Sequence, residues 1–165
     1  MKNTFSLVAY ILFPLYLFFP LKSNNKDFYN DINHIYIPKI NLSNNIYGFI
    51  DEQNNVNKNI YLAQDYDFDS LKGALVLASH SGNSPVSYFN DIDKLSLGDE
   101  IFVEDKNNIY TYLVDNIFVI NKTGFFKYDN KDKYVYLVTC VKNKHKKQLV
   151  IGGFLSKITK KSTFS

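Results

Sequence analysis

Residues 74–78 read Ala-Leu-Val-Leu-Ala, five apolar residues in an unbroken row between Gly73 and the polar stretch Ser79-His80-Ser81-Gly82. A row this short, closed by turn-forming residues, reads as a strand, and without polar alternation it reads as one buried on both faces. Such a strand needs partners at its edges and packing above and below it. A second apolar row, residues 134–138, ends at Thr139-Cys140, and Leu149-Val150-Ile151 makes a last strand after a basic loop over 142–147. Ile35-Tyr36-Ile37-Pro38-Lys39-Ile40 is a further short run, which Pro38 confines to an edge or a strand end. Residues 45–50 form another strand candidate. Residues 101–103 and 109–120 form a hairpin across Asp105-Lys106-Asn107-Asn108. Ser84-Pro85 opens a helix with Pro85 at its first position, and Phe89, Ile92 and Leu95 follow at helical spacing. Leu97-Gly98-Asp99 reads as a turn. Many short strands with one helix imply a mainly β protein, a closed or nearly closed barrel.

A chain of 165 residues makes one domain, and its 14 Phe and 13 Tyr supply bulk for a sizeable core. With 45% hydrophobic and 21% charged residues the balance is globular, which excludes a disordered or collagen-like chain. One Cys excludes an intrachain disulfide. A net charge of +3, with no aromatic-basic pattern, gives no footing for nucleic acid. All 19 cations are Lys, so no guanidinium fork is available for carboxylate, phosphate or oxyanion work.

Residues 5–21 carry no charge and lie between Lys2 and Lys22, a length at the lower limit for a spanning helix. A signal peptide competes for the same pattern, but no small-x-small cleavage site follows. Pro14 and Pro20 are tolerated in lipid, and the run lacks the polar face of a core helix. The expectation is an uncleaved signal anchor that meets membrane lipid through residues 5–21. Residues 1–4 then form a cytoplasmic N-terminus, 22–34 a polar linker, 35–158 the folded domain, and 159–165 a flexible tail. One Lys precedes the span and two follow it soon after, so the positive-inside count does not itself place the domain outside.

A lone Cys outside the cell is either a small packed hydrophobe or a working thiol. Composition favours the first and position favours the second. Cys140 ends an apolar strand and meets a Lys-rich loop, where Lys142 and Lys144 would favour the thiolate. His80 also ends a buried strand, and reads either as a hydrogen-bonded turn histidine or as the thiol's proton partner. Two strand ends in a barrel can meet although 60 positions separate these residues. His34 falls in the linker and His145 in the charged stretch Lys144-His145-Lys146-Lys147. One Cys and three scattered His lack metal-ligand spacing, so neither metal nor cofactor is implied.

These residues resemble a known family. His80 in Leu77-Ala78-Ser79-His80-Ser81-Gly82, followed by Tyr88-Phe89 and Leu95-Ser96-Leu97-Gly98-Asp99, is similar to the sortase histidine region. Tyr136-Leu137-Val138-Thr139-Cys140 resembles the sortase nucleophile strand, and Ile37-Pro38-Lys39-Ile40 the family's first strand. The resemblance covers about residues 35–155. It implies a sortase β-barrel of about eight strands with one or two short helices, a transmembrane anchor, and thiol transpeptidase chemistry on the outer face of the cell membrane. Cys140 would attack a carbonyl in a C-terminal sorting motif of a secreted protein. His80 would protonate the leaving amine and then deprotonate the incoming one, either a cell-wall precursor or a pilin-type Lys. Thr139 and Ser81 would contact substrate.

The sequence departs from the family at one position. Sortases carry an Arg on the last strand before an apolar run, and here Lys147-Gln148-Leu149-Val150-Ile151-Gly152 puts Gln148 in that place. Gln148 is therefore the candidate oxyanion donor. It leaves open an enzyme using an amide, an impaired sortase-like scaffold, or a thiol peptidase that hydrolyses the same intermediate. Because alternate strand residues face opposite sides, only one of Lys147 and Gln148 can share the cleft with Cys140, and the alignment selects Gln148.

Overall fold

The computed structural model describes residues 33–123, 128–144 and 146–162. The expected anchor over 5–21, the linker up to residue 32, and His145 lie outside the described residues. Among the described residues, no helix is long and apolar enough to cross a membrane. Eight strands follow one another: β1 (Asn33–Ile37), β2 (Leu42–Ile46), β3 (Tyr61–Leu62), β4 (Ala74–Ala78), β5 (Glu100–Glu104), β6 (Asn108–Asn121), β7 (Tyr134–Cys140) and β8 (Lys147–Lys160). They form one sheet in the order β2-β1-β5-β6-β8-β7-β4-β3. A bridge between Ile46, at the end of β2, and Ile60, just before β3, draws the two edges together into a nearly closed barrel. The apolar row 74–78 is β4, and it pairs with β3 on one side and in parallel with β7 on the other.

The β4–β7 register is fixed at the strand starts. Gly73 N–H donates to Asp132 Oδ1 at 2.7 Å and Ala74 N–H to Asn130 Oδ1 at 2.9 Å. Gly73 holds φ +73°, and a Cβ there would meet Asn130 Oδ1 at 2.8 Å, so the stitch requires glycine. A parallel register set at one end determines which residues emerge together at the other, where Ser79-His80 and Thr139-Cys140 leave the sheet.

Alternation divides these strands between two apolar clusters. Leu75, Leu77, Val135, Leu137, Leu149 and Ile151 face the barrel interior with the rest of the main core. Ala74, Val76, Tyr134, Tyr136, Val138 and Val150 face the other way, with Phe118, Ile120 and Tyr128 packed against them.

Several sequence expectations are corrected. The helix from Ser84 is absent: this stretch is a series of turns with a single 3₁₀ turn at Ile92–Lys94. Ser87 N–H bonds Ser84 O, Asn90 N–H bonds Ser87 O, and Phe89 N–H is taken by His80 O at 3.2 Å, which denies an α-helix its i−4 bond there. Phe89, Ile92 and Leu95 are still buried, so their spacing served the core without a helix. The strand sought at 45–50 is β2 at Leu42–Ile46 instead. Pro38 begins a 3₁₀ turn, and Asn41 reverses the chain at φ +50°, which delivers Leu42 opposite Ile37. Pro38 thus marks a strand end, since β1 pairs with both β2 and β5. His34 belongs to β1, not to a linker, and its ring bonds Asn45 Oδ1 and Ser43 Oγ across the hairpin. The start of the tail expected to be flexible over 159–165 is paired: β8 reaches Lys160 opposite Asn108, and Lys161 bonds Glu104 at 2.8 Å.

Candidate active site

Ser79 N–H donates to Val138 O at 3.2 Å, which carries the parallel β4–β7 ladder past its last paired residues, Ala78 and Val138. Two residues further along each strand stand His80 and Cys140, at the same end of adjacent strands. Ser81 closes this end, because its hydroxyl donates to Cys140 O at 2.6 Å. The thiol is half-buried and unpaired. Thr139 sits on the opposite face from Cys140, 5% exposed, and its hydroxyl donates to Ser79 O at 2.8 Å. It ties β7 to β4 from the core side, and the residue at the cleft with a hydroxyl is Ser81.

Gln148 is the direct cross-strand partner of Cys140 on β7 and of Ile120 on β6. Directly opposed residues share a face, so the amide side chain and the thiol project on the same side. Lys147 lies on the other side, where its ammonium bonds Asn121 Oδ1 at 2.6 Å.

Two residues at this end were not among the sequence candidates. Asn57, in the connection between β2 and β3, places Oδ1 3.2 Å from His80 Nε2. Its segment is held in place by Tyr88, whose hydroxyl donates to Lys58 O at 3.3 Å. A carboxamide oxygen only accepts, so this bond puts a proton on Nε2. Lys122, just past the end of β6, reaches Cys140 Sγ with its ammonium at 3.5 Å. Proximity in sequence pointed to Lys142 and Lys144 as the thiol's cations. Lys142 instead faces Asp91 and Asp93, each at 3.7 Å. The sequence signal for Lys122 was available in principle: it shares strand parity with Ile120, opposite Gln148, but only the β6–β8 register reveals it.

From Cys140 an apolar strip runs back along the sheet. Val138, Tyr136 and Tyr134 follow it on β7, with Ala78 and Val76 beside them on β4 and Val150 on β8. The tyrosines pack at 4.8 and 5.4 Å between ring centroids, Tyr134 on Tyr136 and Tyr136 on Tyr128. Each has its hydroxyl tied: Tyr134 donates to Asp115, Tyr136 to Asp129 O, and Tyr128 to Gln64. Burial, and then the Asp115 bond, push the Tyr134 phenol well above its ordinary range, and burial raises that of Tyr136. Both rings therefore stay neutral as an apolar floor with fixed polar tips.

The fold and this site define a β-barrel protein with a half-exposed thiol and an imidazole at the ends of two neighbouring parallel strands. A family model described as the sortase domain matches residues 35–155, and the chain belongs to the sortase family. A curated relative, sortase A of Listeria monocytogenes serovar 1/2a, is 35% identical over 91 residues. That alignment takes in 54% of this chain and 41% of the relative's own length. Among solved structures, Listeria monocytogenes sortase A superposes with a TM-score of 0.68 at 24% identity, covering 81% of this chain and 92% of that one. Sortase C1 of Streptococcus agalactiae gives a TM-score of 0.62 at 27% identity, covering 77% of this chain and 68% of that one.

Proposed function

We propose that this chain is a membrane-anchored cysteine transpeptidase, and that Cys140 and His80 are its nucleophile and its acid–base. The observation that carries the reading is their common position at the ends of β7 and β4, locked by the Ser81–Cys140 bond. Cys140 Sγ attacks a peptide carbonyl, and the new C–S bond sends an electron pair to oxygen. Collapse of this intermediate breaks the C–N bond, and His80 gives its proton to the departing amine. The resulting thioester is then attacked by a second amine, whose proton His80 takes back, and the C–S bond breaks to release the amide and return the Cys140 thiolate. The Asn57 carboxamide, 3.2 Å from Nε2, orients the ring, and Nδ1 is the nitrogen left for the exchange. Gln148 is the amide donor to the oxyanion. The cleft at the ends of β4 and β7 receives the residues around the scissile bond, a short sorting motif near the C-terminus of a secreted protein. The acceptor is a primary amine of a cell-wall precursor or of a pilin-type Lys.

Residues 5–21 hold the domain at the outer face of the cell membrane. External protease on intact cells should remove the domain, and a domain that survives would overturn this orientation. A mature protein starting after residue 21 would overturn the anchor.

The chemistry is tested with full-length protein, a library of peptides bearing varied motifs before a C-terminal leaving segment, and glycine- and lysine-type amines. The expected result is a thioester adduct at Cys140 by mass spectrometry and an amide product with one amine. Cys140→Ala should give neither, with unchanged circular dichroism. An adduct that only hydrolyses would select a thiol peptidase, and no adduct with any peptide would remove the enzymatic reading.

A further inference from the structure

We propose that Lys122 is the cationic catalytic residue of this site, holding negative charge first on Cys140 Sγ and then on the attacked carbonyl oxygen. It would take the place of the Arg that the chain lacks. The inference rests on the transpeptidase reading above.

The contact is built into the sheet. β6 ends at Asn121, paired with Lys147, and Lys122 N–H donates to Lys146 O at 2.8 Å, so the ladder continues one residue further. Ile120 shares the face of Gln148, and alternation returns Lys122 to that face two residues later. β8 lies between β6 and β7, so a side chain from β6 must cross the width of one strand to reach Sγ. Two strand spacings come to about 9.6 Å, a span that calls for a long flexible stem such as that of Lys. The ammonium completes the crossing, 3.5 Å from Sγ.

The same crossing gives a physical reason for Gln148. An Arg at 148 would set a guanidinium beside the Lys122 ammonium, and two like charges a few ångströms apart repel. A neutral amide removes that conflict while keeping a donor on the Cys140 face. The cation has thus moved from the strand beside the nucleophile to the end of the next strand over. Lys142 and Lys147 are engaged elsewhere, Lys142 with Asp91 and Asp93 and Lys147 with Asn121. In the reaction Lys122 keeps its protons throughout. When the C–S bond forms and the carbonyl electron pair moves to oxygen, the charge leaves Sγ for an atom two bonds away, within reach of the same ammonium. The leaving-group proton still comes from His80.

Alkylation of Cys140 in the full-length protein near neutral pH reads this charge without needing the natural substrate. Iodoacetamide is the neutral probe and iodoacetate the anionic one. Lys122→Met should slow iodoacetamide about tenfold, as expected for loss of one charge-assisted bond, and should slow iodoacetate more. The fall in the iodoacetate-to-iodoacetamide ratio is the signature that a purely structural role would not give. Lys122→Arg should keep both rates, and Lys142→Met should leave both near wild type. Gln148→Arg in the Lys122→Met background should restore the rates, because it returns a cation by the other route. Wild-type rates and ratio in Lys122→Met would overturn the proposal, as would an equal loss in Lys142→Met. Lys122-dependent alkylation without transfer to any amine would uphold this inference and remove the transpeptidase reading. Transfer that proceeds unchanged in Lys122→Met would do the reverse.

Discussion

The two faces of the β4–β7–β8 sheet are made from the same residues of the chain taken alternately, yet they differ in kind. The inner face is aliphatic: Leu75, Leu77, Val135, Leu137 and Ile151 are all fully buried. The outer face carries Tyr134 and Tyr136, with Ala74, Val76 and Val138 between them, and its polar tips are tied to Asp115 and Asp129. Aliphatic packing without hydroxyls serves stability. The outer cluster is almost as buried, with Tyr134 4%, Tyr136 5% and Val138 5% exposed, and it meets solvent where it ends at the half-buried Cys140. Substitution deep in either face should therefore cost folding, and substitution at the Cys140 end should cost reaction.

The largest effect belongs to the inner face. Leu137→Ala should cost about 3 kcal/mol in urea unfolding, from lost transfer energy plus the cavity left in a closed core. Activity per folded molecule should be retained. A cost below about 1 kcal/mol would mean the interior collapses around the gap, and the contrast between the faces would lose its basis.

Gln148 and Lys147 test the division at the mouth of the site. Gln148→Ala should slow thioester formation about a hundredfold, the usual consequence of losing one oxyanion donor, with stability little changed. Lys147→Ala, which loses only its bond to Asn121 on the far side, should react near the wild-type rate. A larger loss in Lys147→Ala would place the reacting groups on the wrong face.

Gly152 sits where the outer face is most crowded. It pairs with Tyr136, and the Tyr134 ring folds over it so closely that a Cβ would meet Tyr134 Oη at 2.5 Å and Cε1 at 3.0 Å. Gly152→Ala should push the ring off Asp115 and cost about 1–2 kcal/mol in urea unfolding as an overpacking change. Tyr134→Phe in that background removes the closest atom and should recover part of the stability. Wild-type stability in Gly152→Ala would show that the Tyr134 ring yields to the added methyl without cost.

Much of this division could be read in the sequence, because strand parity is a sequence property. The apolar rows at β4 and β7 gave both strands, and their ends gave His80 and Cys140. The β5–β6 hairpin followed from Asp105-Lys106-Asn107-Asn108, and alternation allowed only one of Gln148 and Lys147 to share the face of Cys140, the family resemblance selecting Gln148. What could not be read depends on register between distant strands. Lys122 and Cys140 meet only because β6 and β7 flank β8. Asn57 reaches His80 from a connection with no periodic pattern. The end of β8 was mistaken for a tail because neither of its faces is buried, so pairing with β6 leaves no apolar trace. The helix from Ser84 failed for a related reason: a long-range bond from Phe89 to His80 O outcompeted the local one that helical spacing implied.

Acid should give the smallest effect, and it too separates the faces, because each has a Tyr–Asp pair. On the outer face Tyr134 donates to Asp115; at the inner core Tyr110, 2% exposed, donates to Asp105 at 2.6 Å. Burial alone would raise the Asp105 carboxyl, but the Tyr110 hydroxyl and the N–H groups of Asn107 and Asn108, at 2.7 and 2.6 Å, outweigh it and hold it below the usual carboxylate range. Asp99, bound by Lys39 at 2.8 Å and by Ser96 N–H at 2.6 Å, is likewise held low against the upward pull of burial. Because folding weakens proton binding at both carboxyls, the unfolded chain takes up more protons in acid. Their contribution is complete above the unfolded carboxyl range, about pH 4, and is lost as pH falls through their lower folded values. Stability measured by urea should therefore decline from about pH 5 downward, and Asp105→Asn should flatten that decline while leaving KM for peptide unchanged. An undiminished decline in Asp105→Asn would move the acid-sensitive group elsewhere, and a raised KM would show that the hairpin beneath the inner core is coupled to the binding face.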